Sequence, residues 1–398
     1  MYDTIIIGGG IASLYCAYKL KKADIACKII VLEKAKSIGG RISTREFRHM
    51  TVPMGAGVGR YKKDTIMRHL MKDFDIPVTK FKAHIRNNAA FIKQTLHILK
   101  KAYTQKQKHM TFKDFAVSVI GDDTYGDFVK AAGFSDFDNA DVKDTLYHYG
   151  FDDTYNGHYN FAVPWMRIID NLANVIGLEN IKCGVQVNAI SVTANSVTAE
   201  VSTKNGDVYH GKKVVCGVDI DSLRKLLGHV MPLYNMIVGQ PFMRVYVELQ
   251  ENAAFREYIG NEMVVVNGHL QKIIPMDANR NIYMIAYSDN AHAYALYNVL
   301  KRNDAKEKLA RMVYEATRIH IQIRHMIYKF WPNGTHYYKP LPKSYKNRHE
   351  FLYDAQRPAP NVFVVGEVVS MHQGWSHGAL DSVHAIYKDL CCRSVMST

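Results

Sequence analysis

The residues of this 398-residue chain best suited to chemistry stand at its start, in MYDTIIIGGGIASLYCAYKL. Gly8, Gly9 and Gly10 follow Thr4 to Ile7, a β-branched run of strand length, and apolar residues return at helical spacing from Ile11 to Leu20. Strand, glycine turn, helix is the order in which bare backbone and a helix N-terminus hold a pyrophosphate. Gly8 and Gly10 permit the turn and a close approach, while Ile11, Ala12 and Ser13 open the helix. Ser13 occupies the third glycine position of the fingerprint and is expected to loosen helix–strand packing slightly. A second apolar run, KIIVL, ends at Glu33, about twenty residues beyond the glycines, where a carboxylate takes ribose hydroxyls. The chemistry these positions support is dinucleotide binding.

Other chemistries find less. There is no HExxH run and no Ser–His–Asp pattern to suggest hydrolysis, and the six cysteines show no CxxC or zinc spacing, so no metal site is expected. Cysteines inside the nucleotide unit point to a reduced, intracellular setting. With folded structure expected from Tyr2 and no apolar run of eighteen residues, the expectation is a cytoplasmic protein without signal peptide or membrane span. A hydrophobic content of 47% and charged content of 22% are those of a globular protein with a sizeable core, split into two domains. The net charge of +14 could draw nucleic acid, anionic lipid or an acidic partner. Its densest stretch, Lys93 to Lys113, is first of all the solvated face of an amphipathic helix and secondarily a polyanion site.

The elements that must position these residues are spread along the chain. Glycine-punctuated turns follow Glu33, in KAKSIGGRISTRE and MTVPMGAGVGRY. Residues 61 to about 160 read as helices and loops, with helical periodicity in TIMRHLMKDF, and lack the opening alternation of strand and helix. That alternation returns with a helix from Trp165 to Ile176, a short strand, a ribbon turning near Ala194-Asn195 and Asn205-Gly206, and the buried strand KKVVCGV. Further strands (MRVYVEL, EMVVVN, NIYMIAYS) and a helix from about Asp304 to Ile319 precede a closing strand, glycine turn, loop and helix from Asn361 to Leu390.

Several of these separated stretches together resemble the flavin-containing amine oxidase family. Gly8 to Ser13 with Glu33 and the adjoining Lys34 resembles its FAD fingerprint, and Gly39-Gly40-Arg41 its GGR turn. Gly55-Ala56-Gly57-Val58 is similar to the glycine segment under the flavin ring, with Met54 where an acidic residue is usual. Val187 to Ile190 resembles the strand whose valine meets adenine, and Gly366-Glu367 with Gly374 to Leu380, including Trp375 and Ala379, the closing FAD motif. The strand block from Ile237 also looks like a viral branch of such proteins.

The resemblance implies an α/β fold: a Rossmann-like, glutathione-reductase-like FAD domain (1–60, 165–225 and 350–398) and an α+β substrate or cap domain (61–164 and 226–349) with a helical insertion. Arg41 would meet the pyrophosphate, Glu367 the ribityl chain, and glycines 374 and 378 would let a helix start approach the flavin. Trp375 would form one wall of an amine cage and His336 or Tyr337 the other. Thr335 stands where some members carry a flavin-linked cysteine, which implies noncovalent FAD. Met243 falls in the place of the usual lysine near flavin N5, beside Arg244, a candidate carboxylate clamp, and Lys272 is a candidate replacement. The implied reaction is hydride transfer from an amine α-carbon to flavin N5, with reoxidation by O2 to hydrogen peroxide. Local acidity for a cationic amine would come from Asp152 and Asp153. Two alternatives stay open: a desaturase, isomerase or porphyrinogen oxidase on the same fold, and a non-enzymatic FAD-binding protein with a basic nucleic-acid-binding face.

Overall fold

A computed structural model describes residues 1–192 and 198–391. The turn expected at Ala194-Asn195 lies outside the described residues. Tyr2–Ile7 and Ile29–Glu33 lie side by side and parallel in a seven-stranded sheet. Across it the order is Val187–Val192, Ala199–Thr203, Val208–Cys216, Tyr2–Ile7, Ile29–Glu33 and Ile181–Cys183, with Val362–Val364 parallel to the end of Val208–Cys216. Side chains alternate between two cores. Ile6, Val31 and Val215 pack with helices Ile11–Ala23, Trp165–Ile176 and Ser376–Cys391, whereas Ile5, Ile7, Leu32 and Val214 pack with Ile220–Leu227 and Arg348–Ala355. A sheet covered on both faces needs strands that are apolar throughout, which is why the opening run lacks alternation. Parallel neighbours need crossovers, so one sheet draws on three distant parts of the chain.

A second, six-stranded sheet runs Ile323–Tyr338, Ile237–Leu249, Ile282–Asp289, Lys272–Asp277, Met263–Val265 and Ile85–Arg86. Met243, Val245 and Val247 point into a core shared with helices such as Ala305–Thr317. Tyr246 lies on the opposite face, against the hairpin of Thr44–Phe47 and Met50–Pro53, and Arg244 donates from that face to the Pro53 carbonyl at 3.1 Å.

The region expected as helices and loops differs in two ways. Helices Ala89–Ala102, Phe112–Ile120, Asp122–Ala132 and Val142–His148 do gather around Phe112, Phe115, Phe128, Phe137 and Phe151. However, Gly59–Arg60, Tyr159–Phe161 and Lys80–Lys82 pair into a small three-stranded sheet. Moreover, Thr65–Asp73, expected in the cap domain, buries Met67, Leu70 and Met71 in the nucleotide-sheet core, because its narrow apolar stripe finds the helix Ser376–Cys391. In the basic stretch, Ile92, Leu96 and Leu99 are buried, while Lys93 and Lys100 lie 4.6 and 5.5 Å from the ring centres of Tyr155 and Tyr147. Among the described residues no helix is long and apolar enough to cross a membrane.

Candidate functional site

At the nucleotide end, two glycine turns meet backbone to backbone. Gly8 adopts φ +96°, and a Cβ there would lie 2.5 Å from the Gly217 carbonyl oxygen. Gly39 donates to the Gly9 carbonyl at 2.8 Å, and a Cβ on Gly40 would stand 3.3 Å from Gly10 Cα. Gly10 itself faces open space: a Cβ would meet nothing within 4 Å. The helix beginning at Ile11, with Ala12 and Ser13 in its first turn, has no side-chain cap and no acidic residue there, so its end is free for an anion. The Glu33 carboxylate accepts from the N–H groups of Gly9 (2.5 Å) and Ala35 (2.7 Å). Lys34 lies 3.4 Å from Asp219. Gly184 and Val185 donate to the carbonyls of Ala35 and Glu33, which brings the strand of Val187 to the end of the second strand.

Ser13 sits in close packing. Ser13 is buried, and a Cβ on Gly217 would collide with its Oγ. The missing third glycine of the turn is therefore made up across the contact by Gly217, after the strand Val208–Cys216. A glycine following a buried strand was the available signal for it in KKVVCGV.

At the other end Glu367 collects three donors. Arg41 Nη1 reaches Oε1 at 2.6 Å and also the Gly334 carbonyl at 3.0 Å, His336 Nδ1 donates to the same Oε1, and the Gly374 N–H donates to Oε2 at 2.8 Å. Burial alone would raise the Glu367 carboxyl, but the charges of His336 and Arg41, with the hydrogen bonds of His336 and Gly374, hold it well below the usual range. Gly366 donates to Ser382, and Ala379 is buried in the first turn of the last helix. A side chain on Gly55 would strike the Arg41 carbonyl, and Ala56 donates to that carbonyl at 3.1 Å. Gly57 accepts from Trp165 at 2.8 Å and faces the Arg244 guanidinium, while Val58 is exposed.

The surroundings of several expected residues bear on their roles. A side chain on Gly378 would collide with the His372 carbonyl. One face of Trp375 is covered: the Arg60 guanidinium lies 3.8 Å from its ring centre, held by Asp64 (2.7 Å) and Asp153 (3.0 Å). Asp152 and Asp153 supply no free acidity, since Lys63 pairs with both at 2.6 and 2.9 Å. Finally, the alternation of Ile237–Leu249 sends Met243 into the core, so the cation on the site's side of that strand is Arg244, buried and 4.7 Å from the Tyr287 ring centre. Lys272 is buried with its Nζ on the Gly133 carbonyl and over the Phe134 ring. Burial pushes its amine down to about 7, against the charges of Asp289 and Asp136.

Of the two candidates for the second wall, His336 reaches Glu367, while Tyr337, raised by burial, lines a cavity of about 60 Å3. This cavity lies between Thr335–Tyr338, Gly374 and the helical insertion, which contributes Asp136, Thr145 and Tyr149. Sequence reasoning missed Asp136 and Arg60: Arg60 pairs with Asp64 four residues on, but its contacts with Asp153 and Trp375, like those of Asp136 with Tyr149 and Thr335, join parts of the chain that no local pattern links.

The model of the NAD(P)-binding Rossmann-like domain matches residues 6–74, and that of flavin containing amine oxidoreductase matches residues 118–383. The chain belongs to the flavin-containing amine oxidoreductase family. No curated protein matches the chain. As a flavin-containing amine oxidoreductase the protein is an FAD-dependent oxidoreductase acting on a small molecule. Its residues fit the flavin dinucleotide: open space at Gly10 adjoins the uncapped helix end, and among the described residues His336 Nε2 and Arg244 Nε are buried without a hydrogen-bond partner.

Proposed function

We propose that this oxidoreductase oxidises an amine and holds its FAD noncovalently. The observation that carries the reading is the small cavity bordering His336 and Gly374, which combines aromatic walls, Phe137, Tyr337 and Tyr338, with the carboxylate of Asp136. When bound, FAD supplies the acceptor for the hydride of the substrate α-carbon and hands the electrons to O2, giving hydrogen peroxide. Gly8, Gly10 and the helix start Ile11–Ala12–Ser13, with Gly40 and Arg41, would hold the pyrophosphate; Glu33 and Lys34 the ribose; Val187 the adenine. Glu367 would hold the ribityl chain, and Gly55, Ala56, Gly57, Val58, Gly366, Gly374 and Ala379 would shape the space for the ring. Trp375, His336 and Tyr337 would exclude water from the reacting carbon and orient it. Lys272 would act indirectly, through Phe134 and Tyr287. Residues 1–60, 165–225 and 350–398 would form the glutathione-reductase-like FAD domain, with 65–73 added to it.

The test is anaerobic addition of polyamines, arylalkylamines and amino acids to the yellow protein. Bleaching of the visible flavin band by one amine class, with recovery and peroxide on admitting air, is the expected outcome. A spectrum unmoved by every amine would end the amine reading. Oxidation of a carbon–carbon bond is the second reading, favoured by Arg60, whose cation takes a face of Trp375 that a cationic amine would otherwise meet.

A further inference from the structure

Two buried side-chain atoms at the cavity beside His336 lack partners among the described residues. Thr145 and His336 are 2% and 4% exposed, both line it, and neither Thr145 Oγ1 nor His336 Nε2 has a hydrogen-bond partner among the described residues. With Nδ1 committed to Glu367, Nε2 is the free ring nitrogen of His336. Asp136 adds a carboxylate. Tyr149 donates to its Oδ1 at 2.5 Å, Thr335 Oγ1 lies 3.5 Å from Oδ2, and among the described residues no cation forms an ion pair with it. Asp144, by contrast, is already paired with Arg348 at 2.7 Å. A cavity of about 60 Å3 that holds an unpaired carboxylate beside the unused Thr145 hydroxyl oxygen is matched by a small cationic donor.

We propose that this cavity receives the ammonium group of the substrate, and that the Asp136 carboxylate takes its proton there. The proposal rests on the amine reading above. The step is R–NH3+ with Asp136–COO− giving R–NH2 with Asp136–COOH: an N–H bond breaks, an O–H bond forms, and the proton leaves to solvent when product departs. Only the neutral amine has the nitrogen lone pair that assists hydride loss from the α-carbon. The surroundings suit a proton acceptor. Burial, then the Asp289 charge, raises the Asp136 carboxyl above the usual range, against the Tyr149 hydrogen bond and the Lys272 charge. Asp138 on its own loop adds to the rise. Also facing the cavity are Tyr337 and His336 from the long strand, and Asp144 and His148 from the helix Val142–His148, with Arg348 behind Asp144.

Ammonium chloride, which has no carbon to oxidise, is titrated into the FAD-loaded protein while its visible band is followed, with potassium chloride as control. The wild type should bind ammonium and not potassium; Asp136→Asn should weaken ammonium at least tenfold, and Thr145→Val, which keeps the shape, about threefold. In anaerobic stopped flow, n-butylamine should reduce the wild-type flavin faster as pH rises through the Asp136 titration. In Asp136→Asn that limb should move up toward the ionisation of free n-butylamine. Unchanged ammonium binding and pH profile in both variants would overturn the proposal while leaving amine oxidation standing. Ammonium binding dependent on Asp136, with no reduction by n-butylamine at any pH, would overturn the proton step and count against amine oxidation, leaving a cation site. Should Asp136→Asn fail to fold, unaltered ammonium binding in Thr145→Val would by itself overturn the subsite.

Discussion

Glu367 is where the chemistry of single residues is most concentrated. Its carboxylate is shared by Arg41, His336 and the Gly374 N–H, so one side chain joins the GGR turn, the long strand and the loop before the last helix. Glu367→Gln keeps the shape and removes the charge; FAD affinity, read by fluorescence titration, should fall by about ten- to a hundredfold, the range for a charge-assisted hydrogen bond. The same residue predicts acid sensitivity. Because its folded-state carboxyl lies below the ordinary 4.5, its stabilisation is present above that value and is lost as pH falls through the folded value. Urea denaturation between pH 6 and 3 should therefore show a shallower loss of stability in Glu367→Gln than in the wild type. Lys272 titrates in the other direction on the scale. Its amine is pushed down from 10.5 to about 7, so its contribution is present above 10.5 and lost as pH falls through about 7. The wild type should gain stability from pH 7 to 10, and Lys272→Met should lose that gain while its bound-flavin spectrum stays in place.

Among the elements, the contact between the first helix and the turn after Val208–Cys216 decides how close the nucleotide end can be. Ser13 and Gly217 share a space that fits one small side chain, and a Cβ at 217 would collide with the Ser13 hydroxyl. Gly217→Ala should cost about 1–3 kcal/mol by overpacking. Ser13→Gly should recover part of it, so that a double-mutant cycle in urea shows coupling between the two sites. Additive effects would mean that the helix shifts freely. The strand Ile237–Leu249 carries the other element-scale result. Its two-residue period separates Met243 from Arg244 completely, one to the helices and one to the glycine segment. A shift of one residue along that strand therefore decides between the core methionine Met243 and the buried Arg244.

For the molecule as a whole, residues far apart in the chain meet in two clusters, the glycine turns beside Glu33 and the donors gathered on Glu367. FAD at a hundred times its dissociation constant should add about 2.7 kcal/mol of stability, seen as a raised melting temperature, whereas FMN, lacking the adenosine end, should add little. Denaturation should release all the flavin into the supernatant; yellow colour retained on the precipitate would refute noncovalent binding. The strand–glycine–helix opening, the acid at its partner strand and the closing Gly366-Glu367 segment were legible in sequence, because backbone approach and buried parallel strands impose local patterns. Trp375 could be singled out in sequence, but not the guanidinium stacked on it. Arg60 over Trp375, Gly217 against Ser13, the helix Thr65–Asp73 on the nucleotide core and Asp136 in the cavity came only with the tertiary structure. Each of these depends on which distant partner fills a space or meets a charge, and a local pattern carries no record of that partner.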